Sequence, residues 1–111
     1  MESSKETPPS TTETNTSSGS YPLPSKDTLA QVAKLAIVED RPVLFDYWTG
    51  SCDGEVIIGV RASGEKLLVK SSDEYTSPIS AIYQVEEEYI VVTENSIYIV
   101  QQKIAKKRIS E

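Results

Sequence analysis

The chain contains no histidine, and only one each of cysteine, methionine, tryptophan and phenylalanine. Without imidazole there is no histidine general base, no histidine-containing triad, and no zinc site assembled from several cysteine and histidine ligands. The lone Cys52 cannot close an intramolecular disulfide, and small secreted domains usually carry several, so a reducing compartment is expected. Long apolar runs are missing too. Residues 1–20 hold neither a signal-peptide core nor a membrane span, and neither Glu2 nor the ending Arg108-Ile109-Ser110-Glu111 fits a lipidation pattern. These absences point to an intracellular protein, in cytoplasm, nucleus or virion interior, with no membrane attachment. Positive charge is scarce: eleven Lys and Arg stand against 17 Asp and Glu, a net charge of −6, so attraction for phosphate has to be local.

What is present divides by composition. A length of 111 residues accommodates one compact domain and a tail. Residues 1–20 are dominated by Ser, Thr, Glu and Pro, which bury too little apolar surface to offset ordering, so a disordered spacer with phosphorylatable hydroxyls is expected there. The folded domain is expected over residues 21–102, and residues 103–111 read as a basic C-terminal tail.

Within the domain, Ser25 is a good N-cap and Asp27 sits where a helix dipole favours a carboxylate. Leu29, Val32, Ala33, Ala36 and Ile37 follow at helical spacing, with Leu35 off that face, and Pro42 limits the helix. From Val43 the period falls to about two residues, the signature of strands. Six are expected, over 43–48, 55–61, 66–70, 79–85, 89–93 and 97–101, with residues 49–54 and 71–78 as loops. Short connections favour pairing of sequence neighbours. The expected fold is mainly β (α+β), with one N-terminal amphipathic helix capping a six-stranded antiparallel meander closed as a small barrel or strongly bent. The hairpins at 55–70 and 88–100 resemble one another, and the second resembles inner-blade strands of β-propellers. A propeller needs about four or more four-stranded blades, beyond this chain's length, so only a hairpin duplication follows.

Chemistry-bearing patterns are sparse. Cys52 lies in a glycine-flanked loop without a base to deprotonate it. Asp46, Asp53 and Glu55 are the only clustered carboxylates, and their spacing is not that of a calcium loop, so they read as solvated turn acids. No glycine-rich loop ends in the Gly-Lys-Ser/Thr of a phosphate cradle. Neither a catalytic site, a metal site nor a cofactor is therefore expected. Among the aromatics, Tyr47, Tyr83 and Tyr89 alternate with aliphatic residues and read as core, whereas Trp48 and Tyr75 fall near loops and read as partner-binding surface. The sharpest charge feature is Lys103, Lys106, Lys107 and Arg108, four cations in six positions of an acidic chain. In a mobile tail they suit phosphates or an acidic patch on another protein. The functional expectation is a non-catalytic interaction or structural module that binds a protein partner through its sheet surface or edge. The alternative is a nucleic-acid-binding accessory protein acting through the basic tail. The third reading is an enzyme working through the carboxylates Asp46, Asp53 and Glu55, and opposite charge also allows self-association between the acidic Glu86-Glu87-Glu88 turn and the basic end.

Overall fold

The computed structural model describes residues 22–109. The Ser/Thr-rich segment 1–20, expected to be disordered, lies outside the described residues, as does Tyr21. In chain order the elements are α1 (Lys26–Glu39), β1 (Val43–Leu44), α2 (Trp48–Cys52), β2 (Ile57–Val60), β3 (Lys66–Ser71), β4 (Glu74–Tyr75), β5 (Ile79–Val85), β6 (Glu88–Thr93), β7 (Ile97–Gln101) and β8 (Ala105–Arg108).

The strands form two four-stranded sheets, ordered β1-β7-β6-β5 (sheet A) and β4-β3-β2-β8 (sheet B). Each is an antiparallel three-stranded meander completed by a parallel strand from the far end of the chain: β1 joins β7, and β8 joins β2. The expected single meander or barrel is thus corrected. β4 turns back on β3, and Pro78, which lacks an N–H, then starts a new sheet instead of letting β5 pair with β3. Helix α1 is likewise not N-terminal, since it begins only at Lys26.

The sheets stack face to face around Tyr47, Val56, Ile58, Leu68, Val91, Tyr98 and Val100. Tyr47 and Tyr98 meet edge to face at 5.2 Å. On the other side of sheet A, Ile90, Val92, Ile97 and Ile99 pack with Val32 of α1 and with Trp48. Sheet A is covered on both faces, which is why β6 and β7 are near-continuous apolar runs.

Helix α1 is set by its first turn. The Ser25 hydroxyl accepts from Thr28 N–H at 3.2 Å, and Glu88 Oε1 accepts from Ser25 N–H at 3.1 Å and from the Thr28 hydroxyl at 2.5 Å. A carboxylate at a helix N-terminus answers both the dipole and the unpaired amides. This anchor buries Thr28 and rotates the helix by about one residue relative to the hydropathy pattern. Leu29, Val32, Leu35 and Ala36 face the core, while Ala33 is exposed and Ile37 is 82% exposed. Asp40, in the left-handed region at φ 56°, ends the helix ahead of Pro42.

The expected strand 43–48 stops after Leu44, and the expected loop is helical. Ser51 explains the change: its hydroxyl donates to Trp48 C=O at 2.6 Å and accepts from Gln101 N–H at 3.1 Å, tying α2 to the end of β7. Gly50 keeps that contact close, because a Cβ there would meet Val56 Cγ2 at 3.0 Å and make the valine shift by a few tenths of an ångström.

Candidate docking groove on sheet B

Sheet B has an inner row, Ile58 and Leu68, facing sheet A, and an outer row containing Ile57, Gly59, Leu67, Val69 and Tyr75. The outer row is nearly as apolar as the inner one; no helix among the described residues covers it, and although Leu67 and Gly59 are buried, Val69 is half-buried and Tyr75 exposed. The chain's own cover there is Ile109. A Cβ on Gly59 would lie 2.8 Å from Ile109 Cδ1 and 2.9 Å from Val69 Cγ2, so the missing side chain is the seat into which Ile109 settles. Ile109 N–H donates to Val60 C=O at 3.0 Å and holds the end of β8 in place.

Beside this seat lies an open groove of about 600 Å³. Leu67 and Val69 form its floor, Tyr75, Ser71 and Ser72 its β4 side, and Arg61, Arg108 and Ile109 the remainder. Its two charged lining residues are both arginines. Arg61 pairs with exposed Glu65 at 3.0 Å, a surface contact that is easily exchanged. Arg108 makes no ion pair among the described residues. Tyr75 is 54% exposed and is held by Thr76, whose backbone N–H donates to Leu68 C=O and whose hydroxyl accepts from Leu68 N–H and donates to Ser77 C=O.

No known family model, curated protein or solved structure matches this chain.

Of the residues expected to bind partners, Tyr75 and Arg108 line this one groove. Trp48 does not belong with them: it is 5% exposed, packs in the helix-side core, and donates its indole N–H to Pro22 C=O at 2.8 Å. The basic segment is not a tail, because Lys106, Lys107 and Arg108 form β8 with Ala105, all four exposed, and Lys103 stands in the turn before it. Arg61, Val69 and Ile109 were not singled out in the sequence. For Val69 the signal was the Leu67-Leu68-Val69 run, which loads both faces of a strand and so calls for cover on both; Arg61 and Ile109 had no local signal.

Elsewhere, Tyr47 is core as expected, Tyr89 is partly buried, and Tyr83 is exposed. Burial and the nearby Glu74 carboxylate push the Tyr47 phenol up to about 12, and Lys70 Nζ lies 4.9 Å from its ring centroid. Asp46, Asp53 and Glu55 are exposed, and no group of three metal-ligating side chains occurs among the described residues. Cys52 is half-buried, with Gln101 Nε2 donating to its sulfur at 3.6 Å. No helix among the described residues is long and apolar enough to cross a membrane.

Proposed function

We propose that this protein is a non-catalytic interaction module that docks a protein partner on the outer face of sheet B. The observation that carries the reading is the groove itself: a half-buried Val69 above a fully buried Leu67, an exposed Tyr75, and arginines as its charged lining. Tyr and Arg beside a desolvating apolar floor are the residue types that dominate binding energy at interfaces. A reducing intracellular setting agrees with the single free cysteine.

Recovery of tagged full-length protein from its native setting after nuclease treatment tests this reading, with Tyr75→Ala/Arg61→Ala as the comparison. Both side chains are accessible, so the fold is expected to survive. The wild type should retain a stoichiometric protein, and the double variant about tenfold less, the loss expected for truncating anchor residues. Equal recovery by both proteins would contradict the groove as the site. Material that nuclease removes would favour the nucleic-acid reading through Lys103, Lys106, Lys107 and Arg108.

A further inference from the structure

Strand β8 is an edge of sheet B, and the direction of its backbone groups follows from its pairing. In a parallel ladder, alternate residues turn both N–H and C=O toward the same neighbour. Ile109 N–H bonds Val60 C=O, and the register Ile57↔Ala105 to Val60↔Arg108 is unbroken. Ala105 and Lys107 therefore share the direction of Ile109, toward β2, and Lys106 and Arg108 aim their backbone groups outward, where no strand follows among the described residues.

That open edge is selective. Two β8 edges brought together would oppose Lys106, Lys107 and Arg108 with the same cations, a common device against self-pairing. The same charges attract carboxylates. They also alternate: Lys107 stands in register with Gly59 and Lys106 with Ile58, so these two lysines leave the strand on opposite faces, while Arg108, in register with Val60, still lines the groove. One phosphate backbone cannot follow both faces, whereas an added strand, whose side chains also alternate, meets them all. The groove lined by Arg61, Val69, Tyr75 and Ile109 lies on one of those faces.

We infer that an acidic, extended segment of a partner protein adds to sheet B as a fifth strand along β8. Its carboxylates pair with Lys106, Lys107 and Arg108, and an apolar side chain turns into the groove over Val69 and Ile109. The inference rests on the docking reading and names the partner's chemistry. The Ile109–Gly59 seat holds the edge in its paired geometry beforehand, which lowers the ordering cost of binding.

The test uses full-length protein with four probes: an acetylated and amidated heptapeptide of alternating Glu and Val, the same peptide N-methylated at alternate residues, its Lys-for-Glu counterpart, and a short oligothymidylate. Affinity and residue-resolved amide exchange are read together. The acidic peptide should slow exchange at Lys106 and Arg108, and N-methylation should weaken it about tenfold, the worth of two lost backbone hydrogen bonds. The Lys peptide should not bind. Lys106→Glu/Arg108→Glu should weaken the acidic peptide at least as much, and the N-methylated probe keeps the test decisive on wild-type protein should that variant misfold. Equal affinity of the N-methylated peptide, protection that bypasses β8, or tighter oligothymidylate binding would overturn strand addition. If strand addition fails while Tyr75→Ala/Arg61→Ala still lowers partner recovery, the docking reading stands alone; if partner recovery is also unchanged, both fall.

Discussion

Glu86 and Asp27 meet where the turn after β5 passes the first turn of α1. Glu86 occupies the left-handed region at φ 53°, and its carboxyl is raised above the ordinary 4.5, first by the hydrogen bond that its protonated form donates to the Asp27 carboxylate, then by desolvation and by the charges of Asp27, Glu88 and Glu87. With a folded-state pKa above the unfolded one, the folded chain takes up the proton first, so this contact favours folding below about 4.5 and loses that benefit as pH rises through the raised value. At neutral pH the carboxylates repel. Glu86→Gln should therefore raise the melting temperature at pH 7, with the gain shrinking in high salt and vanishing below 4.5. Melting temperature against pH for both proteins checks it, and a gain that persists in acid would contradict the pairing. Glu88, two residues on, is buried and accepts two hydrogen bonds at the helix start. One acidic tripeptide thus contains a turn former and a helix anchor.

At the scale of elements, β8 is the part of the fold that charge most obscured. Lys-Ile-Ala-Lys-Lys-Arg reads as a solvated tail, yet Ile104 is buried in the core between the sheets and Ile109 seats on Gly59. Ile104→Ala should cost about 2–3 kcal/mol, the usual cost of truncating a core isoleucine, whereas a mobile tail would give no change. Denaturant unfolding measures the difference. The strands with their own apolar faces were legible: β2, β3, β5, β6 and β7 lie where alternation or apolar runs place them. β1 was overextended because Phe45 to Trp48 has strand-like composition, while Ser51 binds both Trp48 and Gln101 and makes the next turn helical. The helix was legible in its bounds and its N-cap Ser25 but not in its face, since Thr28 counts as polar until Glu88 pairs with it. In the site, Tyr75 and Arg108 were visible as an exposed aromatic and a local cation. Arg61 and Ile109 were not, because their meeting depends on β8 crossing back to β2, a pairing that local pattern does not encode.

Across the whole molecule, the two ends of the described chain exchange places: β1 completes the later meander and β8 the earlier one. Neither sheet is complete without a distant segment, so the sheets should unfold together, and their long-range parallel pairs imply slower folding than a simple meander. The same exchange produces the docking face, because β8 brings three cations to an edge and Ile109 to a face that α1 does not reach. The most direct test of this account is residue-resolved amide hydrogen exchange of the free protein across residues 103–109. The structure predicts protection at Ala105, Lys107 and Ile109, which face β2, and fast exchange at Lys106 and Arg108. Uniformly fast exchange through the whole segment would show a tail instead of a strand, and would remove both the edge and the groove beside it.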